Sequence, residues 1–333
     1  MDPLTQGVIG GIVAQTKAPK EHIGKAIIIG ALAGMAPDLD VLIRSNADPL
    51  LALEFHRHFT HSLLFVPFGG LICAALFYPL LGKRWQLSFW QVLIWCWLGY
   101  ATHGLLDAFT SYGTQLLWPL SNHRFAWDGI SVIDPLFTLP ILMLMVFAAR
   151  RKQHLPATIG IIWGALYLSL GLIQHERAID KGYEIAAERG HLPSRLEAKP
   201  SFANLLLWKV VYETEDRFYV DAVRPGLGEV RHWPGDDIAI LDLERDLPWL
   251  DPTSQQAQDI ERFRWFSAGY IALDKGDPTR IVDIRYSMLP QQIDPLWGIK
   301  VSPQANADDY ARYYTQRDNS RGALEQLLSM MKE

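Results

Sequence analysis

Along the first half of the chain, apolar residues come in long uncharged runs rather than in the alternating pattern of a half-buried strand. Four runs, 62–81, 88–109, 131–149 and 156–174, approach the length of about 20 residues that a membrane-crossing helix needs. Two weaker segments precede them: 4–15, which is short, and 26–43, which is interrupted by Pro37, Asp38 and Asp40. A broken segment survives in a bilayer where it lines protein or water. Past the last run the pattern changes to charge-rich. Residues 176–200 read as a charged helix leaving the last span, then a loop ending at Pro200. WKVVYETEDRFYVDAVR is two β-rich runs around Glu215-Asp216, which predicts a hairpin. RFRWFSAGYIALD and RIVDIRYSMLP add strand-like stretches, and 306–332 reads as a polar helical tail. The expected fold is therefore a mainly α-helical polytopic membrane domain, residues 1–175, followed by a smaller soluble α+β domain, residues 176–333.

Charge adds an orientation. Lys17, Lys20, Lys25, Lys83, Arg84, Arg150, Arg151 and Lys152 fall on one side if every segment crosses, against Arg44, Arg57 and Arg124 on the other. The richer side is expected to be cytoplasmic. By this count the N-terminus and, after six crossings, residues 176–333 lie outside the cytoplasm. A first segment that lies on the membrane instead would move the N-terminus to the cytoplasm. Met1, Asp2 and Pro3 lack the basic start of a cleaved signal peptide, so no cleavage is expected. Several of the 12 tryptophans sit near the ends of apolar runs, as an interfacial belt requires. Cys73 and Cys96 lie within such runs and read as buried hydrophobes, not as a disulfide or a metal site. The net charge of −5 and the absence of a large basic patch argue against direct nucleic-acid binding.

The same orientation gathers chemistry at the outer face. Asp38 lies 13 residues past Lys25, about 20 Å into a core of about 30 Å. His103 is similarly submerged. Ionisable groups at such depth are costly and are candidates for function. His103 and Asp107 are four apart on a helix, so imidazole and carboxylate share a face. That spacing suits two metal ligands, and equally a plain hydrogen bond along the helix. In FHRHFTHS, a helix would put His58 and His61 on one face; the histidines suit a transition metal or a proton shuttle. Arg57 suits an anionic group such as phosphate, and the bland alternative is an interfacial cluster. Asp38 and Asp40, in a turn after Pro37, offer hard oxygen ligands, or cap a helix end. Asp128 and Asp134, at the start of the 131–149 helix, read as an N-cap and a loop carboxylate, with Asp134 the better site candidate.

MDPLTQGVIGG, APDLDVL, FHRHFTHS, THGLLDAFTSYGTQLLWP and ISVIDPLFTLP, in this order, resemble the YdjM family of membrane-bound metal-dependent hydrolases, also described as LexA-binding inner-membrane hydrolases. The resemblance covers residues 1 to about 150. The family's histidine motif lands on His56, Arg57, Thr60, His61 and Ser62. Its HxxxD motif lands on His103 and Asp107, and its paired aspartates on Asp38 and Asp40. Relatives often carry glycine where His58 stands, which sets His58 aside. Many carry Thr-His near the start, where this chain has Thr5-Gln6, so a ligand from that position is in doubt. The HxxxD helix is also similar to that of zinc-dependent phospholipases C, an analogy only.

The combined expectation is a multi-pass protein of the inner membrane with a divalent metal, zinc before manganese or iron, held by His56, His61, His103, Asp107 and Asp38. Arg57 would hold the anionic part of a substrate, and Asp40 or Asp134 would serve as general base. The reaction would be hydrolysis of a phosphoester or other ester of a lipid or envelope molecule at the extracytoplasmic face. Two alternatives compete. One is a non-enzymatic membrane protein with a structural metal site and a partner-binding soluble domain. The other is a transporter, which the absence of an inverted repeat disfavours.

Overall fold

The protein, seen in a computed structural model, is described over residues 1–226, 230–316 and 320–332. Its chain divides into two units: Met1–Leu42 with Phe55–Ile173 and 202–204, and Ile43–Glu54 with Gln174–Ser201 and Leu205–Glu333.

In the first unit, Asp2 caps α1 (Pro3–Gln15) by accepting from Thr5 N, with Pro3 at the first helical position, where a missing N–H costs nothing. Helix α2 (Ile23–Met35) tightens into a 3₁₀ turn over Ala36–Leu42 around Pro37, which has no N–H for the helical ladder. After α3 (Leu51–Phe55), which groups with the second unit through Glu54, two 3₁₀ turns (Phe59–His61, Leu63–Phe65) lead into α4 (Val66–Phe77). Helix α5 (Phe89–Ala108) begins with a capping box between Ser88 and Gln91. Asp134 caps α6 (Pro135–Arg151), and α7 (Leu155–Glu188) is one helix of 34 residues. The charged stretch after residue 176 thus continues the last apolar run without a break, as far as Glu188.

Of the six segments read as crossings, two reach membrane-spanning length and composition among the described residues: Leu63–Gly82 and Leu155–Glu188. Helices α1 and α2 have 13 residues each and extend about 20 Å. They pack with α5 backbone against backbone. A β-carbon on Gly99 would overlap Gly30 O, so only glycine permits the approach. The core beside this contact holds Ile29, Ala33, Val92, Trp95, Tyr100 and both cysteines, which are buried and free.

The second unit carries two antiparallel meanders, β1–β4 and β5–β8. The first comprises β1 (Arg195–Pro200), β2 (Trp208–Glu213), β3 (Arg217–Arg224) and β4 (Arg231–Ala239). Helices α8 (Leu243–Asp246) and α9 (Gln255–Phe266) come next, then β5 (Ile271–Leu273), β6 (Arg280–Asp283), β7 (Trp297–Lys300), β8 (Arg312–Thr315) and α10 (Ser320–Lys332). Val211, Phe218 and Val220 of one sheet share a core with Ala272 and Val282 of the other. The hairpin at Glu215-Asp216 forms as β2–β3. Three expectations change. RFRWF is helical in α9, because Ser254 caps it and Ile260 and Phe263, three apart, face the interior. Residues 195–200 are a strand, because they pair with β2 along its length, and Pro200 is tolerated on that sheet edge. Within the tail expected at 306–332, Arg312–Thr315 pair with β7 and the helix starts at Ser320; residues 317–319 lie outside the described residues.

Candidate metal centre

Three chain segments of the first unit meet at one buried point. Helix α5 contributes His103 and Asp107 from one face, as their spacing requires. The 3₁₀ turn after α2 contributes Asp38, and the turn Phe59–His61 contributes His61. One donor atom from each of these four residues can be chosen so that all lie within 4.8 Å of one another. His61 Nε2 and His103 Nε2 are 2.9 Å apart. Asp38 Oδ1 lies 3.5 Å from the first and 3.3 Å from the second, and Asp107 Oδ2 lies 3.3 Å and 3.7 Å from them. Four ligands around a metal at 2.0–2.1 Å in a tetrahedron stand about 3.3 Å apart. His61, His103 and Asp107 are buried, and Asp38 keeps 21% of its side-chain surface exposed.

The surroundings fix which atoms face inward. His103 Nδ1 lies 2.5 Å from Gly34 O, an atom that only accepts, so this nitrogen carries the proton and Nε2 carries the lone pair. His61 Nδ1 faces Thr60 Oγ1 at 3.0 Å and Asp40 Oδ2 at 3.3 Å, with the Thr60 hydroxyl donating to that same carboxylate oxygen at 2.9 Å. Its Nε2 faces His103 Nε2, as a proton donor to it when no metal is bound and as a ligand once one is. Asp107 Oδ1 receives the Gln6 amide at 2.9 Å and the Met1 amino group, which leaves Oδ2 turned to the histidines and to Arg57 Nε at 3.1 Å. Outer partners that orient ring and carboxylate in this way are the usual second layer of a metal site. Two carboxylates with two neutral imidazoles, and no thiolate, suit zinc, manganese or iron, and their two negative charges match a divalent ion.

The other expected site residues take different places. Asp40 Oδ2 accepts from Arg57 N at 3.0 Å, and Asp40 Oδ1 lies 2.8 Å from His56 Nδ1. Asp38, Asp40 and His56 form a second group with metal-ligand spacing, in which the His56 side chain is 37% exposed. Arg57 adopts a left-handed backbone (φ 65°), so the FHRHFTHS stretch is no continuous helix. That turn carries its side chain to Asp107, to Thr110 Oγ1 at 2.8 Å and over the Tyr112 ring at 5.2 Å. His58 packs among Phe55, Phe59 and Trp118. Asp134 belongs to neither group. It caps α6 through Leu136 N and Phe137 N and accepts from Tyr167 OH at 2.9 Å.

Residues not singled out as site residues in the sequence also take part. Gln6 stands where a histidine was the expected ligand type, and its amide reaches Asp107 and His103 O. Gly34 and Thr110 act through a backbone oxygen and a hydroxyl. No spacing rule marks such positions. Only the Thr5-Gln6 departure and the Thr60 position of the histidine motif gave a signal.

The profile of the YdjM inner membrane protein family matches residues 1–178. An uncharacterized protein, YfhP of Bacillus subtilis (strain 168), is 32% identical over 279 residues, covering 78% of this chain and 77% of that one. The inner membrane protein YbcI of Escherichia coli (strain K12) is 35% identical over 152 residues, covering 42% of this chain and 83% of its own. No solved structure matches.

Proposed function

The chain belongs to the YdjM inner membrane protein family, and from that premise we propose that it is a membrane-bound, metal-dependent hydrolase. The observation that carries the metal is the convergence of two imidazole nitrogens, 2.9 Å apart, with two carboxylate oxygens at one buried point. A divalent ion there would be met by two imidazole nitrogens and two carboxylate oxygens, a donor set whose charge balances it. Asp38, His61, His103 and Asp107 would hold the ion. A bound divalent ion supplies an acidified water and a Lewis acid for an ester or phosphoester oxygen. Arg57, anchored by Asp107 and Thr110, neutralises the anionic part of the substrate. Asp40, hydrogen-bonded to the half-exposed His56, is the carboxylate for general-base work. The substrate is an ester of a lipid or envelope molecule, reached from the extracytoplasmic face, where the second unit also lies.

The test is to purify the protein with its metal and screen phosphodiester and lipid-ester substrates beside Asp107→Asn. Metal-dependent turnover lost in the variant supports the enzyme. Bound metal with no turnover on any substrate favours a second reading, a structural site. One observation supports that reading: four protein groups stand at ligand spacing, enough to fill a structural site, whereas catalytic sites usually keep one position open. The orientation has its own test. A reporter active only outside the cytoplasm, fused at the C-terminus, is expected to be active; a silent one beside a working cytoplasmic reporter overturns it.

A further inference from the structure

The buried metal centre shares one of its members with the second group, Asp38, Asp40 and His56, in which one donor atom from each residue lies within 4.8 Å of the other two. All three belong to the first unit, as do His61, His103 and Asp107. The shared member is Asp38. Its Oδ1 faces His61 Nε2 at 3.5 Å and His103 Nε2 at 3.3 Å. Its Oδ2 takes no hydrogen bond or ion pair among the described residues, and 21% of the side chain is exposed. A carboxylate has two oxygens and lone pairs on both, so Asp38 is able to serve two cations at once.

Asp40 is divided in a similar way. Its Oδ2 accepts from Arg57 N at 3.0 Å and from the Thr60 hydroxyl at 2.9 Å. Its Oδ1 is left to His56 Nδ1, 2.8 Å away. Partners that hold one oxygen and aim the other are the usual outer support of a ligating carboxylate. A plain hydrogen bond from His56 accounts for the Asp40 pair, but it leaves the Asp38 oxygen beside it without a partner.

The two groups also differ in what they leave open. The first has four protein groups, three of them buried, which is the count of a closed structural site. The second has three, and its His56 side chain is 37% exposed. Three protein ligands on an accessible side leave a position for water and substrate, as catalytic sites do.

We propose that the centre takes two divalent cations bridged by Asp38: a buried one held with His61, His103 and Asp107, and an open one held with Asp40 and His56, where the substrate binds. This rests on the metal reading above and deepens it, because the closed and the open character belong to different ions. Asp40 is then a ligand, and activation of water falls to the open ion rather than to Asp40 as a free base. Two cations and Arg57 together outweigh the charge of Asp38, Asp40 and Asp107, which fits an anionic phosphoester better than a neutral ester.

The test counts ions in the full-length protein. Metal-stripped protein titrated with manganese is expected to bind two ions per chain and to give an exchange-coupled EPR signal, since ions that share a carboxylate lie close enough to couple. His56→Ala should bind one ion, at the affinity of the tighter wild-type site and with an uncoupled signal; that retained ion also shows the variant to be folded. Asp38→Asn should weaken both ions. One ion per chain in the wild type, or two without coupling, overturns the bridge while the metal reading stands. Two ions retained in His56→Ala, or both lost in His56→Ala and His56→Gln alike, overturns the assignment of His56 to the open ion alone. Wild-type protein that binds no zinc, manganese or iron overturns the metal reading itself.

Discussion

A β-carbon on Gly104 would overlap the carbonyl oxygen of His61. Helix α5 therefore meets the histidine turn at the one residue between His103 and Asp107 that lets the backbones touch.

Gly104→Ala should push the His61 turn away from α5 and lose the metal, although no ligand is changed. The overpacking should also cost about 1–3 kcal/mol. Gly24, whose added β-carbon meets nothing within 4 Å, supplies the control. Metal content and thermal unfolding of the two variants should separate cleanly. Gly104→Ala protein with full metal content would mean that the turn can shift without consequence.

Removing a ligand should cost more than removing its support. His61→Ala or His103→Ala is expected to lower zinc affinity by more than about a hundredfold, beyond the about 10–100-fold that loss of an outer-shell partner costs. Asp40→Asn, which disturbs His61 only through Nδ1, should fall within that smaller range. Titration of metal-stripped protein ranks the three. An Asp40→Asn effect equal to that of His61→Ala would move Asp40 into the ligand set.

The second unit should respond to pH through Lys209. Its ammonium is buried in β2, donating to Ser287 Oγ at 2.8 Å and Gln292 O at 2.7 Å. Burial pushes its pKa down to about 7, although Asp283, Asp236 and Asp294 pull upward. The native state thus binds fewer protons than the unfolded chain between about pH 7 and pH 10, and stability rises with pH across that window. Between about pH 7 and pH 9 the gain should be about 2 kcal/mol. Denaturant unfolding at these pH values should show the rise in the wild type and not in Lys209→Met. An equal rise in the variant would assign it to other groups.

Some of this organisation is legible in the chain itself. The spacing of His103 and Asp107 places both on one helix face whatever the rest of the fold does, because helical geometry is local. The hairpin at Glu215-Asp216 and the apolar run at 62–81 are legible for the same reason. The strand at 195–200 was hidden, since its signal lies in its partner β2. The aromatic-rich RFRWF reads as strand by composition and folds as helix because Ser254 caps it and the core accepts one of its faces. At the site, the sequence by itself determined which residues are chemically able to hold a metal. The tertiary structure decided which of them meet. Asp38, His61 and the α5 pair lie on three segments, and their convergence depends on glycine contacts and on one left-handed arginine that no local pattern encodes.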